Sequence, residues 1–321
     1  MHTRGARVAR FCMLTCVGLS SAAFGSLGCG AKQPEPARTS TPSQSVGTEV
    51  VKKLDHPMLI KDVGFMTPES VLYDAVADVY LVSNIQGSPL AADDQAFISR
   101  LSPDGSMLAL KWIDSASAEV SLDAPKGMTI VGNVLYVADI TQVRKFDRIS
   151  GKPLGSIPVA GSTFLNDIAA AADGSLYVSD SGLTTGFSPS GTDAIVRITS
   201  DDKVTPLIKD VALGRPNGLL ATADGVWVVT FGSGELYRID NQGQRGEIQK
   251  LPKGSLDGII QSGTSVVISS WEASSLYTPD GNGFREIATG LDAPADIGFD
   301  SKRDRVLVPL FNQNAVSIHQ L

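Results

Sequence analysis

Four residues with oxygen-bearing side chains occupy equivalent places in a repeating sequence. They are Glu69 in Pro68-Glu69-Ser70, Asn166 in Leu165-Asn166-Asp167, Asn217 in Pro216-Asn217-Gly218 and Asp257 in Leu256-Asp257-Gly258. Pro125-Lys126-Gly127 and Pro294-Ala295-Asp296 complete a series of six phrases. If the repeats converge, two carboxylates meet in a narrow space, and each raises the other's pKa unless positive charge compensates. A hard divalent cation would do so. Two carboxylate and two amide oxygens suit calcium, with water filling other positions. Glu69, Asn166, Asn217 and Asp257 are therefore the candidate metal ligands. Asn-Gly and Asp-Gly are also common tight-turn dipeptides, and a Glu after Pro68 has an ordinary reading as a solvated loop residue. It is the shared position in successive repeats that points to a site.

The elements that must position these residues are short strands. Runs of four to six residues rich in Val, Ile, Leu and Tyr alternate with Asp-Gly, Asn-Gly or Ser-Gly turns, as at residues 175–180, 225–230, 265–269 and 305–309. No helical period is sustained. A repeat of roughly 40–50 residues with several strands per unit is the signature of an all-β propeller, and six opening phrases imply six blades. The innermost strand of each blade starts near the central channel, so the six phrases should point at one spot. The last unit is incomplete after Asp296. A strand near residues 58–62 is expected to complete it and close the ring.

Bulk properties narrow the chemistry. The chain has 321 residues, 42% apolar and 19% charged, which suits a globular body with a real core. Its net charge of −7 argues against a nucleic-acid partner. Cys12, Cys16 and Cys29 all lie near the start, so the body has no disulfide and no thiolate nucleophile or ligand. The three histidines, His2, His56 and His319, lie outside the central body, which argues against a His-based zinc site or a Ser-His-Asp triad. Gly232 and Gly234 lack the strand-to-helix setting of a phosphate-binding loop.

The first 28 residues read as a signal peptide: Arg4, Arg7 and Arg10 precede an apolar run that ends in small residues. Ser26-Leu27-Gly28-Cys29 resembles a bacterial lipobox, which would make Cys29 a lipid anchor and the only link to a membrane. Residues 29–50 read as this lipidated cysteine followed by a flexible linker rich in Pro, Ser, Thr and Gln. Residues 51–321 form the propeller. Gly30 is not the Asp that signals inner-membrane retention, so an outer-membrane lipoprotein facing the periplasm is expected.

The phrases around Glu69, Asn166, Asn217 and Asp257 resemble those of the gluconolactonase, regucalcin and senescence-marker-protein family, over residues 50–321. The related drug-responsive lactonases and paraoxonases share the layout. The resemblance implies a six-bladed propeller that uses calcium or another divalent ion to hydrolyse lactones. It makes Glu69, Asn217 and Asp257 core ligands and Asn166 a ligand or substrate contact. The sugar-lactone enzymes carry an arginine two places before the asparagine matched by Asn166; here that place is Phe164, which favours a more apolar lactone or ester. The paraoxonase histidine pair has no counterpart, so a general base would be a carboxylate: Asp257 first, Asp167 second.

Two other readings stay open. One is a non-catalytic binding or scaffold propeller with a structural ion. The other is a metal-free enzyme resembling strictosidine synthase, with Glu69 as its acting carboxylate. Trp271, Phe231 and Phe187 could wall a pocket or pack between blades. Asp139, Asp180 and Asp296 are expected to cap strands or accept backbone hydrogen bonds, and residues 182–192 to form a surface loop at the channel mouth.

Overall fold

Strands of three to eight residues joined by tight turns can bury apolar side chains only by stacking sheet on sheet. The computed structural model, which describes residues 53–321, stacks six four-stranded antiparallel sheets. The expected signal peptide, Cys29 anchor and linker, residues 1–50, lie outside the described residues. Among those described, no helix is long and apolar enough to cross a membrane.

The blades begin with inner strands Pro68–Asp74, Pro125–Val131, Leu165–Ala170, Pro216–Thr222 and Leu256–Ser262, and in the sixth with Gly298–Asp300. In the first five blades the chain then steps outward strand by strand. The inner strands neighbour one another around the hub. In the sixth blade, Met58–Ile60 pairs antiparallel with Ala315–Gln320, Met58 opposite Ile318. The N-terminal strand thus completes the last blade, as the sequence implies, and covers an edge that would otherwise be open.

The core lies between blades. Val79, Leu81 and Ile98 of the first blade pack on Met128, Leu135 and Val137 of the second, and comparable clusters fill the other seams. Buried polar side chains also link the blades across these seams. The Arg148 guanidinium reaches both oxygens of Asp74 at 2.9 Å, across the first and second blades. The Tyr80 hydroxyl donates to Asp300 at 2.6 Å, across the first and sixth. These links fix each blade against the next and so fix what the inner strands present to the channel.

Candidate functional site

Five of the six inner strands carry the same irregularity at their first residues. Pairing with the second strand slips by one residue between Pro68 and Ser70, Pro125 and Met128, Leu165 and Ile168, Pro216 and Leu219, and Leu256 and Ile259. A bulge of this kind sets two residues against one and re-aims a side chain. The re-aimed residues are Glu69, Lys126, Asn166, Asn217 and Asp257. A bulge also frees a backbone N–H, which needs an acceptor when buried. Second-strand serines supply one in three blades: Ser83 Oγ accepts from Ser70 N at 2.9 Å, Ser179 Oγ from Asp167 N at 2.9 Å and Ser269 Oγ from Gly258 N at 2.8 Å.

The opening phrases therefore build the hub in two tiers. The first holds Glu69, Lys126, Asn166, Asn217 and Asp257. The second holds Ser70, Gly127, Asp167, Gly218, Gly258 and Asp296. The glycines answer to close approach between inner strands, not to turns. A Cβ on Gly127 would lie 2.7 Å from Asp167 Cα, and one on Gly218 would run into the Asp257 carbonyl oxygen. Asn217-Gly218 and Asp257-Gly258 sit inside strands, so the tight-turn reading of these dipeptides does not apply.

All five polar residues of the first tier line one cavity of about 510 Å³, a volume suited to a small organic ligand. Glu69 and Asp257 are buried, and Glu69 Oε2 and Asp257 Oδ1 have no hydrogen-bond partner. Burial, then the charges of Asp257 and Asp296, pushes the Glu69 pKa well above the carboxylate range, opposed in part by Lys126. Burial likewise lifts Asp257 to about 8, partly offset by the Trp271 indole and the Asn217 amide. That indole N–H lies close enough to act on Asp257 but makes no hydrogen bond of normal geometry.

Asn166 Nδ2 donates to Ser181 Oγ at 3.0 Å, and Asn217 Nδ2 reaches the Leu256 carbonyl at 3.5 Å. Each amide nitrogen is turned to protein, leaving the amide oxygen as the free end. Two partnerless carboxylate oxygens and two amide oxygens make a hard donor set that fits a divalent cation of the calcium type. Among the described residues no group of three or more His, Cys, Asp or Glu is arranged to hold an ion. An ion here would depend on the amides as much as on the acids.

Asp167 is placed differently. It faces the opposite end of the channel with Ser70 and Asp296, on a second cavity of about 300 Å³. Its oxygens accept from Leu219 N and Ile168 N, both at 2.6 Å. Burial raises its pKa to about 6, and these two amides hold it below where burial alone would put it. Asp296 accepts from the Ser70 hydroxyl. Its pKa is raised well above normal by burial and then by Asp167. Asp296 is thus a hub residue rather than a strand cap. Asp139 and Asp180 do serve backbone amides: Asp139 takes Ala124 N at 2.7 Å and Asp180 takes Phe164 N at 2.9 Å. Both anchor the segments that lead into inner strands.

The cavity walls are aromatic. Phe231, Trp271 and Phe311 each follow the second strand of a blade, and their rings form a continuous cluster with centroids 5.7 and 5.0 Å apart. Phe164 and Phe187, which also line the cavity, meet edge to face at 6.5 Å. Residues 182–192 fold as a short hairpin, Leu183–Thr184 on Ser188–Pro189, which brings Leu183 and Phe187 to the cavity.

Cavity residues without an assignment from sequence include Lys126, Arg215, Phe311 and Ile85. Lys126 was visible as the residue aligned with Glu69 and Asn166 in its repeat. Phe311 and Ile85 were visible as the residues following second strands, at the place filled by Phe231 and Trp271.

No family model matches the sequence, and no curated protein matches it. Solved structures do match the fold. A gluconolactonase from Xanthomonas campestris has a TM-score of 0.64 at 15% identity, covering 83% of this chain and 90% of that one. A virginiamycin B lyase from Staphylococcus aureus, solved with quinupristin, has a TM-score of 0.56 at 14% identity, covering 83% and 100%. A chain of a nidogen–laminin complex has a TM-score of 0.54 at 16% identity, covering 69% and 78%. At such identities the likeness is one of fold. The protein is a six-bladed β-propeller, an architecture that includes gluconolactonase structures.

Proposed function

We propose that this chain is a hydrolase of lactones or related esters that works with a divalent cation, calcium by the nature of the donors. One observation carries this: Glu69 Oε2 and Asp257 Oδ1 are buried without partners in a ligand-sized cavity that Asn166 and Asn217 also line. A buried carboxylate left unpaired is costly, and a cation removes that cost. The fold shared with a gluconolactonase and a virginiamycin B lyase supports an enzymatic use of the hub.

Glu69, Asn166, Asn217 and Asp257 would hold the ion. A divalent cation bound there would polarise a carbonyl oxygen and acidify a water. Asp257 takes the proton from the water that attacks the lactone carbon, then returns it to the ring oxygen as the bond opens. Asp167, the second candidate base, has both oxygens engaged by backbone amides at the other end of the channel. The assignment therefore favours Asp257. The aromatic walls exclude water and favour an apolar lactone or ester over a polyhydroxylated sugar lactone. Export as an outer-membrane lipoprotein anchored at Cys29 belongs to the same proposal and rests on sequence alone.

One observation favours a non-catalytic propeller: the Lys126 ammonium already brings positive charge to the hub. A panel of apolar lactones and aryl esters, assayed with calcium and with chelator, separates the two. Calcium-dependent turnover lost in Asp257→Asn supports the hydrolase. Calcium-dependent melting without turnover of any member supports the scaffold.

A further inference from the structure

Lys126 is the one first-tier residue that the proposed chemistry leaves unused. Its side chain is 1% exposed, yet it lines the cavity. Of its three N–H groups, one donates to the Ala124 carbonyl at 2.9 Å. The ammonium also lies 4.4 Å from the centre of the Phe164 ring. It makes no ion pair with any described carboxylate. Glu69, and then Asp139 and Asp123, act on it only through space. A buried ammonium with two unused donors and no anion in contact is an incomplete arrangement, because buried charges are ordinarily paired.

The surroundings say what could complete it. The cavity above Lys126 is walled by Phe164 and Phe187 on one side and by Phe231, Trp271 and Phe311 on the other. Such walls bind a flat or aliphatic body and leave few polar contacts to place it. Two cations line the cavity, Lys126 and the less buried Arg215; Lys126 is the one set among the first-tier groups, and a charge-assisted hydrogen bond from it is stronger than the neutral contacts there.

We propose that Lys126 is the anion-holding group of this cavity and that its ligands are apolar-bodied carboxylates, with the carboxylate on the ammonium and the body against the aromatic wall. The inference rests on reading this cavity as the substrate site. In that setting the carboxylate is the one released when a lactone or ester opens, so the hydroxy-acid product stays bound through Lys126.

Calorimetric titration of the purified protein, held in chelator at neutral pH, tests this without turnover. The probes are 4-phenylbutyrate and its neutral isostere 4-phenylbutyramide. The carboxylate is expected to bind about tenfold more tightly than the amide, the factor expected from one added charge-assisted contact. Lys126→Met is expected to bring the two affinities together, and Lys126→Arg to restore part of the gap. Equal affinities in the unaltered protein, binding of neither probe, or a preference that survives in Lys126→Met would each overturn the proposal. The lactone panel with calcium runs alongside. A carboxylate preference without turnover upholds Lys126 while removing the hydrolase. Turnover without a carboxylate preference does the reverse.

Discussion

Glu69 Oε2 and Asp257 Oδ1 share a cavity and lack partners, and chemistry at the residue scale follows from that pair. Asp257→Asn keeps the shape and removes the base, so kcat/KM for a lactone substrate is expected to fall by about 10²-fold or more. Steady-state kinetics at saturating calcium checks this. The same carboxyl predicts a pH effect on stability. Its ordinary pKa of 3.8 rises to about 8 in the folded chain, so the folded state binds more protons than the unfolded state between those values. The contribution of this carboxyl to stability without metal is then greatest below about 4 and is lost as pH rises toward about 8. Glu69, Asp167 and Asp296 face the same hub with pKa values raised in the same direction. Melting temperatures in chelator from pH 4 to 8 should show the decline. Asp257→Asn should make the decline shallower, by the share that this carboxyl contributes.

At the scale of the element, the bulged start of the inner strand is the device that makes the site. Ser179 and Ser269 hold bulge amides from the second strand. Replacing Ser269 by Ala leaves the Gly258 N–H buried without its acceptor, at an expected cost of about 1–3 kcal/mol by chemical denaturation. Gly218→Ala drives a methyl into the Asp257 carbonyl. It should destabilise by about 1–3 kcal/mol and weaken any ion bound by Asp257. Much of this element was legible in advance. The position shared by Glu69, Asn166, Asn217 and Asp257 was visible because each blade repeats the same strand start. The bulge itself was not, because one slipped residue leaves no mark on apolar alternation. The glycines are ambiguous for the same reason: Asn217-Gly218 looks like a turn in one dimension and is a strand-to-strand contact in three. Lys126 is not an oxygen donor and so stands outside the donor pattern, although its phrase belongs to the same series.

For the whole molecule, closure decides whether six blades hold one hub. Met58–Ile60 completes the sixth blade, and the seam from the first blade to the sixth carries the Tyr80–Asp300 hydrogen bond and the pairing of Arg303 with Asp78. A chain starting after Ile60 is expected to melt at lower temperature and to associate through the exposed edge of Ala315–Gln320. Scanning calorimetry and light scattering read both effects. Closure was legible in the sequence because the last unit is one strand short and residues 58–62 lie free to supply it. The two-tier hub was not, because it depends on blades whose inner strands meet across long sequence separations.

The most direct test of the account is thermal melting of the propeller body in chelator and then with calcium, magnesium, manganese or zinc, for the unaltered protein and for Asp257→Asn. A ligand that binds only the folded state raises the midpoint. If the hub holds a cation through Asp257, calcium raises the midpoint clearly and the rise is lost in Asp257→Asn. A midpoint that no ion moves would contradict this and leave the hub carboxyls to Lys126 and their own protons.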